Sequence, residues 1–414
     1  MTGRAAESAP PPDPPRVSRR RLLAGTGALL AGSAAAGCAA TGPLPTASPR
    51  APGDDLNARL DAAVTGTMRQ LGIPGAIVGL SVPGIVEYSR AFGVADDVTG
   101  RPMTLAEHMR IGSVTKTFTG TAVLRLVEDR LLALTDPIAR FVGGLPSGDQ
   151  ITLRMLGDMR SGLYSYEQDP AFVAAMLAEL PQGPGAGAVT PAQLVDVSAA
   201  RPLSFPPGSR FEYVDVNAVL LGMVVERVTG RPLGDHLREH VFAPLRLSES
   251  VYPVSGALPE PYAHGYTRGA DGAVTDASLW NPAWAGAAGA IVSTFADMKT
   301  WALALGKGTL LDPQTQAVRL ERAPESGPAA AYRFAIFESG GWWGHNGSIP
   351  GYTSVVMSIP QRSATLVVLA NTDVPPVHAA GALAAAVTRL ATPDHVYAQL
   401  DGARRATPSP TAGR

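Results

Sequence analysis

Ser113 and Lys116 form a Ser-x-x-Lys sequence at the start of a predicted helix. Residues three apart lie on one face of a helix, so the hydroxyl and the amine can meet without a loop to hold them. A serine hydroxyl becomes a nucleophile when a neighbouring base takes its proton, and a lysine can do so where its surroundings lower its pKa, whereas an arginine cannot. The pair therefore predicts covalent catalysis, with Ser113 as the nucleophile and Lys116 as its base.

The composition of the chain singles out this lysine. The other lysines are Lys299 and Lys307, whereas arginine is abundant, so a plain cation is usually arginine here. The alternative explanation is a helix-capping Ser113 beside a solvated Lys116, and the motif alone leaves that alternative open.

Two further segments carry polar groups that such a reaction needs. Tyr213 precedes an apolar helix and offers a phenol that can relay a proton. The run from Gly344 to Tyr352 is a glycine-dense, polar interruption of a β region, and it places His345 beside the predicted site. The backbone N–H groups of Ser113 and Ser348 are the predicted pair of oxyanion-hole donors.

Together these segments resemble the class C β-lactamases, the D-alanyl-D-alanine carboxypeptidases and the related family VIII-type esterases in order, spacing and surroundings. The resemblance covers most of the chain, and further family-like flanks are Arg110–Phe118, Ser161–Leu163, Asn281–Pro282 and Trp284–Gly289. It implies an acyl-enzyme mechanism carried by Ser113, Lys116 and Tyr213, with no cofactor. His345-Asn346-Gly347 looks like the family's Lys-Thr-Gly strand motif in a histidine form, which adds His345 to the expected catalytic residues.

The sequence departs from the family at two predicted substrate-binding positions. Asp215 stands where the family has asparagine, and an ionised carboxylate there would favour the ammonium form of Lys116 and could not donate to a substrate carbonyl. Asn346 stands where the family has threonine. The next residue, Gly347, matches the family and is the third residue that we expect to bind substrate. The open alternatives are a D-alanyl-D-alanine carboxypeptidase or β-lactamase relative, an esterase on the same fold, and a catalytically disabled surface binding protein.

A competing motif lies at His236-Leu237-Arg238-Glu239-His240, which matches the inverted zinc-protease signature. No third ligand is evident in the sequence, and an exposed helix face accounts for both histidines. We therefore predict no metal site.

The elements that position these residues come from both ends of the domain. Strands are predicted in a hairpin at 76–88 and again between 332 and 370, followed by a helix at 377–390, and helical periodicity occupies the middle. The predicted fold is α/β (α+β): an antiparallel sheet flanked by helices, with sheet-lobe segments 56–112 and about 285–395, plus an all-helical lobe at about 113–284. The domain spans 56–400, and its motifs fall at the cleft between the lobes.

The ends of the chain read as targeting and tether segments. Residues 1–37 resemble a signal peptide with twin arginines, and Cys38, the single cysteine, is a predicted lipidation site, so we expect an exported protein anchored to the membrane. Residues 38–55 are a predicted flexible linker and 401–414 a predicted disordered tail. A net charge of −1 without a basic block argues against nucleic acid as a partner. We expect a monomer that acts on a small molecule or a cell-wall peptide.

Overall fold

A sheet built from both ends of the chain organises the computed structural model, which describes residues 52–179, 189–322 and 332–399. In chain order, the strands of the described part are β1 (Gly75–Val82), β2 (Val86–Asp96), β3 (Arg101–Pro102), β4 (Met109–Arg110), β5 (Tyr266–Arg268), β6 (Val274–Asp276), β7 (Val292–Ser293), β8 (Tyr332–Arg333), β9 (Ile336–Ser339), β10 (Trp342–Ile349), β11 (Tyr352–Ile359) and β12 (Ala364–Ala370). The main sheet is antiparallel with the order β3-β2-β1-β12-β11-β10-β9-β8, so the first hairpin joins the closing strands through β1 and β12. This agrees with the predicted fold class.

The helices cover both faces of this sheet. In chain order they are α1 (Pro52–Leu71), α2 (Thr115–Glu128), α3 (Leu153–Gly157), α4 (Pro170–Glu179), α5 (Pro191–Ala199), α6 (Val216–Thr229), α7 (Leu233–Leu237), α8 (Ala243–Leu245), α9 (Gly286–Gly289), α10 (Phe295–Lys307), α11 (Pro313–Leu320) and α12 (Ala379–Ala391). Helices α1 and α12 pack together on one face, and α10 packs on β11 and β12. Because successive side chains of a strand point to opposite faces, Ile77 joins one apolar core and Val78 the other. Strand β12 is buried throughout for the same reason.

Helix α2 lies at the centre of the helical part of the chain. It contacts α6, α7 and α9, and most of its residues are buried, including threonines as well as Phe118. The Phe118 ring stacks on Trp301 of α10 with centroids 3.9 Å apart. This packing ties the helix that carries Lys116 to an element that covers the sheet.

Three details differ from the sequence-based expectation. The segment 113–284, predicted as all-helical, contains the short hairpin of β5 and β6. The polar run that begins at Gly344 was expected to interrupt the β region, but it is strand, because β10 pairs with β11 from Trp343 to Ile349. Helix α1 begins at Pro52, so the last four residues of the predicted linker are helical.

The predictions for the signal peptide, for Cys38, for linker residues 38–51 and for the tail 401–414 lie outside the described residues. Among the residues that are described, no helix has both the length and the apolar character needed to cross a membrane.

Candidate active site

The predicted nucleophile and base are in direct contact. Ser113 lies in a one-turn helix, Gly112–Val114, that leads into α2, and Lys116 lies in the first turn of α2. Lys116 Nζ donates a hydrogen bond to Ser113 Oγ at 2.9 Å. Ser113 remains partly exposed while Lys116 is fully buried, so a substrate can reach the hydroxyl but water does not surround the amine.

Lys116 has two further polar partners. Its Nζ lies 2.8 Å from Asp215 Oδ1, and it donates to the backbone carbonyl of Ala288 in α9 at 3.0 Å. Asp215 is the residue just before α6, but its side chain does not cap that helix and is directed to the amine instead. Two N–H groups of the amine donate to Ser113 and Ala288, and the Asp215 carboxylate lies at ion-pair distance without hydrogen-bond geometry. The arrangement is that of a buried ion pair.

The Tyr213 phenol lies beside this pair. Lys116 Nζ is 4.9 Å from the centroid of the Tyr213 ring. The hydroxyl is buried and makes no hydrogen bond of good geometry to the described residues. Burial raises the pKa of Tyr213 well above its usual value, the Asp215 charge raises it further, and the nearby Ser113 hydroxyl lowers it. The phenol is therefore protonated at neutral pH.

His345 is a neutral side chain in this structure. Its Nδ1–H donates to the backbone carbonyl of Asn346 at 2.5 Å, so Nε2 accepts from the Tyr332 hydroxyl at 3.1 Å. Burial lowers the pKa of His345 to about 3, and the Lys116 charge acts in the same direction. Its recorded hydrogen-bond partners are not Ser113 or Lys116, and its ring centroid lies 6.0 Å from that of Tyr213. His345 therefore lies beside the Tyr213 ring, and its hydrogen bonds are to Asn346 and Tyr332.

Strand β10 approaches the nucleophile closely. An added Cβ on Gly347 would lie 2.0 Å from Ile111 O, and one on Gly112 would lie 2.9 Å from Ser348 N. Gly112 also has a φ of +53°, a left-handed conformation that suits glycine. These contacts bring the backbone of Ser348 against the turn that carries Ser113, where the second oxyanion donor was predicted. Gly347 was predicted to bind substrate. Its missing side chain also lets β10 lie this close to Ile111 O.

The remaining polar residues of the predicted motifs have different positions. Asn346 is 6% exposed, and its backbone carbonyl is the group that accepts from His345. Asn217, which follows Tyr213 in the sequence, is buried inside α6 and accepts from Ser161 Oγ at 2.6 Å. Asn217 therefore joins α6 to the Ser161 loop, and Asp215 is the side chain of this segment that contacts Lys116.

Sequence reasoning missed three residues that the structure brings to the site. Ser354 Oγ of β11 donates to Ile111 O at 2.8 Å, and His378 Nε2 lies 2.9 Å from Gly347 O. Glu167 is partly buried, and its charge raises the pKa of both Tyr166 and Tyr213. A serine early in the mostly apolar β11 was a usable signal, whereas nothing in the sequence near His378 or Glu167 pointed to the site.

The structure also shows the surroundings of the two histidines of the zinc-protease motif, His236 and His240. The His236 and His240 rings lie 4.5 Å apart, but Glu239 pairs with Arg231. Across 52–179, 189–322 and 332–399, no three histidine, cysteine or acidic side chains are grouped so as to hold a metal ion.

Known proteins share both the sequence and the fold. The family model described as Beta-lactamase matches residues 60–390. Esterase EstB of Burkholderia gladioli is 34% identical over 52% of this chain and 55% of its own length, and a D-aminopeptidase of Cereibacter sphaeroides is 28% identical over 81% of this chain and 63% of its own length.

Solved structures match over a larger share of their own chains. A D-stereospecific amidohydrolase from Streptomyces sp. is 30% identical, with a TM-score of 0.71 over 81% of this chain and 98% of that one. A D-amino acid amidase from Ochrobactrum anthropi, solved with D-phenylalanine, is 29% identical with a TM-score of 0.70 over 81% and 98%. The chain therefore belongs to the beta-lactamase family of serine hydrolases.

Proposed function

We propose that this chain is an amidohydrolase that forms an acyl-enzyme at Ser113 and acts on amides and esters of amino acids that carry a free α-ammonium group. The observation that carries the proposal is the charge of the site. Lys116 is already paired with Asp215, His345 is neutral, and the charge of Glu167 contributes to the raised pKa of Tyr213. Such a site favours a cationic substrate group, and the charge of Lys116 is already matched by a carboxylate before a substrate carboxylate could bind it.

The ion pair also offers a route to an uncharged base. Transfer of one proton across the 2.8 Å between Lys116 Nζ and Asp215 Oδ1 leaves a neutral amine and a neutral carboxylic acid. A substrate that covers the site excludes water from the pair and disfavours its charged form. The neutral amine then takes the Ser113 proton as Oγ attacks the carbonyl carbon, and the oxyanion forms near the backbone N–H groups of Ser113 and Ser348.

Tyr213 completes the proton transfer. Its protonated phenol gives a proton to the leaving amine or alkoxide as the acyl bond breaks, and Lys116 can return a proton to the resulting phenolate. In deacylation the neutral Lys116 amine first takes the phenol proton, the phenolate takes a proton from the attacking water, and Lys116 returns a proton to Ser113 Oγ as its ester bond breaks. With its raised pKa, the Tyr213 phenol carries its proton at neutral pH, so this proton is in place at the start of each turnover.

Several relatives support the proposed substrate class, and the chemistry of the site argues against the alternatives. One of the two similar structures is a D-amino acid amidase and the other a D-stereospecific amidohydrolase, and the relative EstB favours ester turnover as a second activity of the same site. A carboxypeptidase must bind a substrate carboxylate, for which the neutral His345-Asn346 pair offers no positive charge. A disabled binding protein would not require Ser113, Lys116 and Tyr213 to stay in contact distance.

Turnover of D- and L-phenylalanine amide, N-acetyl-D-phenylalanine amide and a p-nitrophenyl ester tests the proposal, with a penicillin as competitor. We expect hydrolysis of the D-amide and of the ester, and loss of both in Ser113→Ala. Glu167→Gln should raise KM for the free amine substrate about 10-fold or more, as for loss of a charge-assisted hydrogen bond, and should leave the N-acetyl substrate unchanged. Glu239→Gln, at the surface ion pair with Arg231, is the matched control.

The same measurements can also refute the proposed function. Full amide hydrolysis by Ser113→Ala would refute acyl transfer at this residue. A persistent penicillin adduct on Ser113, seen by intact-mass spectrometry together with no amide turnover, would instead assign the chain to the carboxypeptidase branch.

We also propose that the protein is exported and held at the membrane as a lipid-modified monomer through Cys38. The sequence of 1–37 supports this location. Radiolabelled fatty acid should enter the wild type and not Cys38→Ala, which should move from the membrane fraction to the soluble extracytoplasmic fraction. Light scattering of the domain without residues 1–51 would report its oligomeric state.

A further inference from the structure

His378 makes two hydrogen bonds that fix its tautomer. It is the N-cap residue of α12, where Nδ1 accepts from Gly381 N at 2.9 Å. Its other ring nitrogen, Nε2, lies 2.9 Å from the backbone carbonyl of Gly347. Burial lowers the pKa of His378 to about 4, so the ring is neutral at pH 7. A neutral ring that accepts at Nδ1 carries its hydrogen on Nε2, which therefore donates to Gly347 O.

The carbonyl that His378 contacts belongs to the same peptide unit as the Ser348 N–H. In a planar trans peptide the C=O and the N–H point in opposite directions. A donor that holds Gly347 O on one side therefore fixes the direction of the Ser348 N–H on the other side. The nitrogen of this N–H lies against the Ser113 turn, because a Cβ on Gly112 would lie 2.9 Å from Ser348 N.

The hydrogen bond also acts on the charge distribution of this peptide. A donor at a carbonyl oxygen polarises the amide and makes its N–H a stronger donor, as in chains of hydrogen bonds. Strand β9 pairs with β10 only from Trp342 to Gly344, so β11 is the single strand neighbour of the segment around Gly347 among the strands of the described ranges. A side chain from α12 therefore supplies support that a second neighbouring strand does not give here.

We propose that His378 is a positioning residue of the oxyanion hole, which orients and polarises the Gly347–Ser348 peptide for the transition state. This inference rests on the proposed acyl transfer at Ser113. It assigns to α12, which packs on β11 and β12, an effect on the reaction rate that acts through the Gly347–Ser348 peptide. His378 itself touches no reacting atom.

Two substitutions separate the donor from the helix cap. His378→Asn keeps an oxygen where Nδ1 accepts from Gly381 N, and asparagine is a preferred N-cap, but it removes the donor to Gly347 O. His378→Gln places an amide donor near the position of Nε2 and weakens the cap. Thr294→Asn exchanges the cap of α10, whose side chain accepts from Asp297 N, and serves as a control for cap exchange away from the Gly347–Ser348 peptide.

The assay measures kcat and KM for the ester, the affinity of a boronic acid that forms a tetrahedral adduct at Ser113, and the thermal unfolding midpoint. For His378→Asn we expect kcat to fall about 10-fold, the boronic acid to lose the same factor, KM to stay within about twofold and the midpoint to stay close to that of the wild type. His378→Gln should recover most of kcat despite a lower midpoint. Thr294→Asn should match the wild type in kcat and in boronic acid affinity.

Two results would overturn the inference. Unchanged kcat and boronic acid affinity in His378→Asn, with Ser113→Ala inactive, would remove the role of His378 and leave the proposed function intact. A loss in His378→Asn that follows a lowered midpoint and is not recovered in His378→Gln would reduce His378 to a helix cap. Activity retained in Ser113→Ala would refute the proposed function instead, which keeps the two failures distinct.

Discussion

One methyl group added at Gly347 should separate the nucleophile from its predicted oxyanion donor. The Cβ of Gly347→Ala would lie 2.0 Å from Ile111 O and 2.6 Å from Ser354 Oγ. A carbon and an oxygen in contact are normally about 3.3 Å apart, so β10 and the Ser113 turn must move apart by about 1 Å. A displacement of about 1 Å can cost roughly 100-fold in rate, and loss of one oxyanion donor about 100- to 1,000-fold.

We therefore expect kcat of Gly347→Ala to fall about 100- to 1,000-fold, with a smaller change in KM. Overpacking of this kind should lower the free energy of unfolding by about 1–3 kcal/mol, so the variant should remain folded. Steady-state kinetics and urea unfolding measure the two effects. Gly143→Ala is the matched control, because an added Cβ there meets nothing within 4 Å. A kcat for Gly347→Ala within about threefold of the wild type would refute the steric argument.

Two further predictions concern buried ionisable side chains. Asp215→Asn should lower the free energy of unfolding at pH 7 by about 3–5 kcal/mol, because it leaves the fully buried Lys116 ammonium unpaired; an unchanged urea midpoint would contradict the ion pair. For His345, the folded pKa of about 3 lies below the usual 6.5, so the unfolded chain binds the proton first and stability falls as pH drops from 6.5 towards 3. Each pH unit in this window lowers the free energy of unfolding by about 1.4 kcal/mol for this one group. Between pH 6.5 and 5, the free energy of unfolding of His345→Gln, measured in urea, should therefore fall by about 2 kcal/mol less than that of the wild type. Equal losses in the two proteins would count against a buried neutral ring.

The helix that carries the nucleophile was predictable because its signals are local. The spacing of Ser113 and Lys116 on a helix face leads to the observed 2.9 Å contact without any long-range information. The first hairpin was readable from its apolar runs around Val82-Pro83-Gly84. The run from His345 to Ser348 was harder, because polar and glycine residues in a strand look like a loop until the partner strand β11 is known.

The sequence by itself determined the family and the fold class and predicted which side chains react, because these depend on residue type and short spacing. Tertiary structure decided which groups surround them. The protonation of His345 follows from its burial against Tyr332, and the position of the Ser348 N–H follows from Gly112 and His378, which lie far apart in the chain. Burial and long-range contacts set charge and orientation, and neither is encoded in the residues adjacent to the motifs.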